Sequence, residues 1–257
     1  MSRRHLTFAC EGATLAGTLD AADGDAGLLL VTGGNELRAG AWAGQAQLAA
    51  RLAREGFPVL RFDHPGVGDS EGTNLGFRHR AQGIAAALTA FRAACPQLTR
   101  IAGLGNCDAA STLMLAEGAG LDALILSNPW TIEQDDAPPP PEALRDHYRR
   151  RLADPRAILR LLSGKVSPAK LLASLRDALR PAPPPPGLAQ EMAAGIADFA
   201  GDVRFLVAER DRTAQAFLAA WDRTDPRIRR CPEASHSYVE APARDWLAAQ
   251  VIEILRG

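Results

Sequence analysis

Short apolar runs alternate along this chain with longer segments of helical periodicity, and this alternation limits the folds that the chain can adopt. Strands are expected at residues 6–10 and 14–20, as a hairpin, and then at 27–32, 58–62, 100–105, 122–126, 203–207 and 227–231. Helices are expected at 41–55, 78–95, 107–117, 192–199, 213–221 and 241–255. Strands that alternate with helices form parallel sheets with helices on both faces, so the pattern predicts an α/β fold with a mostly parallel sheet of about eight strands.

The alternation breaks after the sixth expected strand, where two proline runs flank a helical, arginine-rich stretch. The runs are Pro138–Pro141 and Pro183–Pro186. Polyproline is a semi-rigid spacer that cannot continue a helix. We therefore expect a helical cap inserted at 137–187, which divides one core into a first part at 1–136 and a second part at 188–257.

Composition and charge exclude several classes of function. The 257-residue chain is 47% apolar with a formal net charge of -1, so it can bury a core and has no basic bias toward nucleic acid or an anionic membrane. Met1–Gly12 lacks the apolar segment of a signal peptide, and no apolar run reaches the length of a membrane span. The four cysteines lie far apart without a metal-binding spacing, so we expect a cytoplasmic protein with free thiols and neither metal nor cofactor.

The segment Gly103-Leu-Gly105-Asn-Cys107-Asp-Ala109 lies where the fifth strand is expected to end and a helix to begin. A sharp strand-to-helix turn of this kind displays one nucleophilic side chain above the sheet, and small residues two positions before and after it relieve crowding. Gly105 and Ala109 meet that requirement, so Cys107 is the candidate nucleophile. A helix N-terminus also favours a thiolate. The alternative is a buried cysteine that serves as a small apolar residue.

An acid and a histidine follow the cysteine at the ends of later strands, where ligands meet open α/β sheets. Asp211 follows the seventh expected strand, and His236 lies in the loop before the terminal helix. The histidine would accept the thiol proton, and the carboxylate would orient the imidazole. Glu209 is the alternative acid, and Asp135 or Asp136 after the sixth strand are further candidates. Asp211 as a helix N-cap and His236 as an exposed loop histidine are the structural alternatives.

Acyl transfer also requires donors for an oxyanion. The backbone N–H of Asp108, next to the nucleophile, is one candidate, and the N–H of Gly34 in the turn after the third strand is the other. A plain Gly-Gly turn is the alternative for Gly34. The Asp108 carboxylate would oppose a developing oxyanion unless it points away or is paired.

The motif residues together resemble the α/β-hydrolase superfamily, and the cysteine nucleophile resembles its dienelactone hydrolase branch. A more specific resemblance is to the family called exosortase A system-associated hydrolase 1. It rests on Val31–Gly34, Arg61–Gly72, Gly105–Ser111 and Asn128–Trp130, with scattered matches at His147-Tyr148, Arg151-Leu152 and Leu161–Gly164. Within the second of these segments Asp63 and His64 are interpreted as structural. In the turn after the third strand Thr32-Gly33-Gly34-Asn35 replaces the more usual His-Gly, and Thr32 is a departure from the family pattern.

That resemblance implies an α/β-hydrolase fold with a cap after the sixth strand, and a hydrolase in bacterial exopolysaccharide or exosortase-related metabolism. The residues predict hydrolysis of a small-molecule carboxylic ester, lactone or thioester through an acyl-thioester on Cys107. Acyl transfer to a sugar or another acceptor is an alternative, because it would use the same intermediate. The third interpretation is a non-catalytic binding protein in which Asp108 has disabled the site.

Overall fold

The computed structural model describes residues 2–132 and 187–257. These two segments together form a single sheet with its flanking helices. The cap expected at 137–187 lies outside the described residues, apart from Gly187, which begins a helix. Asp135 and Asp136, the further candidates for the acid, lie outside them as well.

Eight strands form the sheet in the order β1-β2-β4-β3-β5-β6-β7-β8. Their bounds are β1 Ser2–Cys10, β2 Ala13–Ala21, β3 Ala26–Val31, β4 Val59–Phe62, β5 Arg100–Asn106, β6 Ala123–Ser127, β7 Asp202–Ala208 and β8 Ile228–Cys231. The hairpin of β1 and β2 is antiparallel and joins β4 in antiparallel register, whereas β3 to β8 run parallel. The predicted mostly parallel sheet is confirmed.

Helices cover both faces of the sheet. Their bounds are α1 Gly44–Arg54, α2 Ala81–Ala94, α3 Asp108–Leu115, α4 Gly187–Gly195, α5 Arg212–Ala220 and α6 Ala241–Arg256. The buried strand residues point alternately to the two layers: Leu28 and Leu30 pack with α1 and α6, and Leu29 and Val31 pack with α2 to α5. This period of two explains why β3 is apolar throughout. In 2–132 and 187–257 no helix is long and apolar enough to cross a membrane.

Two predicted helices differ from the structure. The helix expected at 41–55 begins at Gly44, because Trp42 (φ 47°) and Ala43 (φ 59°) adopt left-handed backbone conformations that an α-helix excludes. Trp42 is fixed there by its indole N–H, which donates to the Ser237 carbonyl at 3.1 Å. The helix expected at 192–199 spans Gly187–Gly195 instead, because the proline run that excludes helix ends at residue 186.

Candidate active site

Cys107 lies at the sharp turn between β5 and α3. Its backbone angles, φ 61° and ψ −128°, are rare for a residue with a side chain. Such a strained backbone persists only where surrounding contacts fix it. Here the Cys107 N–H donates to the Ser127 carbonyl at 3.0 Å, and the Cys107 carbonyl accepts from the Ala110 N–H at 3.1 Å. Cys107 is a free, half-buried thiol, unlike the buried Cys10, Cys95 and Cys231.

The crowding expected around this turn is present at Gly105. A Cβ atom at that position would lie 2.6 Å from the carbonyl carbon of Ala109 and 2.7 Å from the Ala110 nitrogen. Both contacts are to backbone atoms, so no side-chain rotation can relieve them. Glycine is therefore required for α3 to begin this close to β5.

His236 and Asp211 meet at the carboxyl ends of β7 and β8. The imidazole Nδ1 lies 2.8 Å from the Asp211 Oδ2. The same oxygen accepts from the Ala214 N–H at 3.1 Å, so Asp211 is both the partner of His236 and the N-cap of α5. The hydrogen bond with Asp211 and, after it, the interaction with the Cys107 sulfur raise the pKa of His236 to about 10, against the opposing effect of burial. Glu209, the alternative acid, forms an ion pair with Arg230 at 3.7 Å.

Two asparagines that sequence reasoning missed lie beside His236. Asn106 places its Nδ2 at 3.3 Å from both Nε2 and the carbonyl oxygen of His236. Asn128, buried with φ 43°, donates to the Asn106 Oδ1 at 3.0 Å and accepts from the Ala208 N–H at 2.8 Å. The signal for Asn128 was its position directly after β6, where a side chain reaches the carboxyl edge of the sheet.

One of the two candidate oxyanion donors is occupied by a carboxylate. The Gly34 N–H points at the Asp108 carboxylate, 2.9 Å from Oδ1 and 2.8 Å from Oδ2. A Cβ at Gly33 would lie 2.2 Å from the same Oδ1, so glycine is needed for this approach. The Asp108 N–H begins α3 and therefore lacks an acceptor within its own helix. The Asp108 carboxylate is thus paired, as expected for a carboxylate beside an oxyanion. Its partner, however, is the Gly34 N–H, which is itself a candidate oxyanion donor.

Arg80 lies behind the Gly33-Gly34 turn as a buried cation. Its Nη1 is 3.5 Å from the Asp108 Oδ2 and donates to the Thr32 carbonyl at 3.3 Å, while its Nη2 donates to the Gly34 carbonyl. Burial and the Arg80 charge lower the pKa of the neighbouring His64 to about 3, so this imidazole is neutral at physiological pH.

Asp63 is enclosed by donors rather than exposed to a ligand. Its carboxylate pairs with the Arg38 guanidinium and accepts from the backbone N–H groups of Arg38 at 2.6 Å and Asp69 at 3.2 Å. These contacts are those of a buried residue that organises the turn after β4, which agrees with the structural interpretation of Asp63.

Glu36 is a further carboxylate beside the site. Burial raises its pKa above the usual range and the Asp108 carboxylate adds to that, whereas the Ala41 N–H and His236 act in the opposite direction. A cavity of about 550 Å³ extends from Glu36 and Asn106 between α1 and α6. Polar groups of the site line one end of this cavity, and apolar residues under α1 line the other.

Comparisons with known proteins agree on the class of fold. A family model described as "Alpha/beta hydrolase family" matches residues 28–249. A search of curated proteins finds no significant match. Among solved structures, the alpha/beta hydrolase GrgF from Penicillium sp. sh18 is 17% identical, with 100% of this chain and 98% of that chain covered and a TM-score of 0.66.

Two further solved structures are similar over nearly their whole length. The esterase Pf2001 of Pyrococcus furiosus is 14% identical, with 99% of this chain and 90% of that chain covered and a TM-score of 0.64. The thioesterase domain from the curacin biosynthetic pathway is 11% identical, with 98% of this chain and 100% of that chain covered and a TM-score of 0.59. At these identities the likeness is one of fold.

Proposed function

The chain belongs to the alpha/beta hydrolase family, and from this premise we propose that it hydrolyses a carboxylic ester, lactone or thioester with Cys107 as nucleophile. His236 moves the proton and Asp211 orients the imidazole. The observation that carries this assignment is the 2.8 Å contact between the Asp211 carboxylate and the Nδ1 of His236, a histidine whose pKa the Cys107 sulfur also raises. The esterase and thioesterase among the similar folds support the same class of reaction.

The steps follow from these positions. In the proposed resting pair His236 already holds the proton of Cys107, whose sulfur bonds to the acyl carbon while the carbonyl π electrons move to oxygen. The bond to the leaving alcohol or thiol then breaks, and the leaving group takes the proton from His236. Water attacks the acyl-thioester while His236 takes its proton, and the carboxylic acid departs as the Cys107 sulfur is released beside the protonated His236.

The charge of His236 suits a sulfur nucleophile. A histidine with a pKa of about 10 is protonated at neutral pH, so its Nε2 proton can face the Cys107 sulfur. The thiolate is the reactive form of cysteine, and an adjacent imidazolium stabilises it. In the neutral form, which follows transfer of the proton to the leaving group, Nε2 can instead accept from the Asn106 amide, which would hold the ring in place for deacylation.

The wider setting is inferred from the resemblance to exosortase A system-associated hydrolase 1. We place the enzyme in bacterial exopolysaccharide or exosortase-related metabolism, in a reducing compartment such as the cytoplasm, which the four free cysteines favour. The segment 137–187 would act as the cap over a small acyl substrate.

A panel of p-nitrophenyl esters and acyl thioesters tests the assignment. We expect Cys107→Ala to lower kcat/KM by about three orders of magnitude or more, and His236→Gln to do so similarly, because such residues act as a unit. Cys95→Ala is the matched control, since Cys95 is a buried free thiol that serves only packing. Equal rates for the wild type and Cys107→Ala would refute the assignment. Turnover that depends on an added acceptor would favour acyl transfer.

A further inference from the structure

The Asp108 carboxylate holds the backbone donor that the proposed reaction needs. The Gly34 N–H is shared between the two carboxylate oxygens at 2.9 Å and 2.8 Å. A single N–H cannot serve both this carboxylate and a substrate oxygen at full strength. A substrate carbonyl can therefore engage Gly34 only if it displaces the Asp108 carboxylate from that donor.

Arg80 compensates only part of what Asp108 loses. Its guanidinium is buried and lies 3.5 Å from Oδ2, on the side of the Gly33-Gly34 turn. Its other contacts are the carbonyl oxygens of Thr32 and Gly34, which fix it in place. If the Asp108 carboxylate is displaced, it keeps Arg80 as a counter-charge but loses its hydrogen bond from the Gly34 N–H. A charged group left without that partner opposes binding, because an unmade hydrogen bond to an ion is costly.

In the part of the chain that the structure describes, the neighbouring charged groups do not supply the missing donor. Glu36 contributes a second carboxylate close enough for the Asp108 charge to raise its pKa, after the larger effect of burial. The His236 imidazolium is engaged by Asp211 at 2.8 Å. Among residues 2–132 and 187–257, the charged groups beside the oxyanion position therefore offer a displaced Asp108 carboxylate no donor beyond Arg80, and a hydrogen-bond donor on the substrate would complement it.

On the premise of the proposed function, we propose that Asp108 is a specificity-determining residue that selects acyl groups with a hydroxyl or ammonium on the carbon next to the reacting carbonyl. A donor on that carbon lies close to the carbonyl oxygen, and so within hydrogen-bond distance of a protein group beside that oxygen. When the carbonyl oxygen takes the Gly34 N–H, this substrate donor replaces it as the partner of the Asp108 carboxylate. An acyl group with only hydrocarbon there leaves the carboxylate unpaired, so it competes poorly for the site.

Three thioesters with one common thiol and acyl groups of nearly equal size test this selection: propionyl, glycolyl and glycyl. Their hydrolysis is followed by chromatography. For the wild type we expect kcat/KM for the glycolyl or glycyl thioester to exceed that for propionyl by about tenfold or more, the effect of one hydrogen bond to a charged group. Asp108→Ala should bring the ratio close to one and raise the propionyl rate, because Gly34 is then free.

Two further variants separate charge from shape. Asp108→Asn keeps the size of the side chain and removes its charge, so it should reduce the rate for the glycyl ammonium more than that for the glycolyl hydroxyl. Asp198→Ala is the control, because Asp198 is an exposed carboxylate that precedes the amino end of β7, and its removal should leave every ratio unchanged. Denaturation midpoints show whether each variant is folded.

The outcomes are distinct. A wild type that hydrolyses the three thioesters at similar Cys107-dependent rates, with ratios that Asp108→Ala and Asp108→Asn do not change, overturns the inference and leaves the proposed function standing. Hydrolysis no faster than that of Cys107→Ala overturns both. A higher rate for glycyl identifies an amino-acyl substrate class, and a higher rate for glycolyl identifies a hydroxy-acyl class.

Discussion

Gly105→Ala places one methyl group at the junction of β5 and α3. The new Cβ would lie 2.6 Å from the Ala109 carbonyl carbon and 2.8 Å from its oxygen. Ordinary van der Waals contact between such atoms requires a separation near 3.5 Å, so α3 must move away from β5 by roughly 1 Å. Overpacking of this kind costs about 1–3 kcal/mol of the free energy of unfolding.

The same displacement moves the Asp108 N–H and the Cys107 side chain, which both belong to this turn. A misplacement of about 1 Å at a reacting group lowers the rate by about 100-fold. Urea denaturation followed by circular dichroism measures the loss of stability, and kcat/KM for the best thioester measures the loss of activity. Both should fall in the same variant.

Gly83→Ala in α2 is the matched control. Its Cβ would find Pro65 at 3.5 Å and His64 at 3.6 Å, which are ordinary contacts, so alanine should stabilise the helix by about 0.5–1 kcal/mol. A Gly105→Ala protein with the wild-type midpoint and wild-type activity would show that the turn is not packed as described. So would equal effects of the two substitutions.

Three further results are expected. Because the pKa of His236 is raised to about 10, its pairing should stabilise the fold fully below pH of about 6.5. That contribution disappears as the pH rises through about 10, so the difference in unfolding free energy between the wild type and His236→Gln should shrink over this range; a constant difference would contradict the pairing. The pKa of His64 is lowered to about 3, so unfolding takes up a proton below pH of about 6.5 and the fold loses stability as the pH falls. The unfolding free energy of His64→Phe should therefore depend less on pH in this range, as measured by denaturation at several pH values. An unchanged dependence on pH would argue against a neutral buried imidazole. Asn128→Ala should cost about 1–3 kcal/mol in urea denaturation, since the buried Ala208 N–H loses its acceptor, and a neutral effect would be inconsistent with that hydrogen bond.

Most of the core could be predicted because its signals are local. The alternation of side chains in β3 and the small residues around Cys107 each reflect a constraint within a few consecutive residues. The turn before α1 could not be predicted in this way. Trp42 and Ala43 have ordinary helical propensity, and the bond from Trp42 to Ser237 that fixes the turn joins residues 195 positions apart.

In the candidate site too, local features could be predicted and contacts between distant residues could not. The positions of Cys107, Asp211 and His236 at strand ends follow from the order of motifs, while their chemical roles stay predictions. The contact of Asp108 with Gly34 spans 74 positions, and that of Asn106 with His236 spans 130. Sequence reasoning raised the question of how Asp108 is paired, but only the packing of β3 against β5 answers it.

The most direct test of the central claim is the mass of the protein during turnover. Wild-type protein is mixed with excess thioester, quenched in acid and digested, and the peptide that contains Cys107 is examined for an added acyl group. We expect the mass of the acyl group on Cys107 and its loss on treatment with hydroxylamine, which cleaves thioesters. Where deacylation is the slower step, the adduct should accumulate in His236→Gln. Turnover with no acyl group on Cys107, or with the adduct on another residue, would contradict the assignment of Cys107 as the nucleophile.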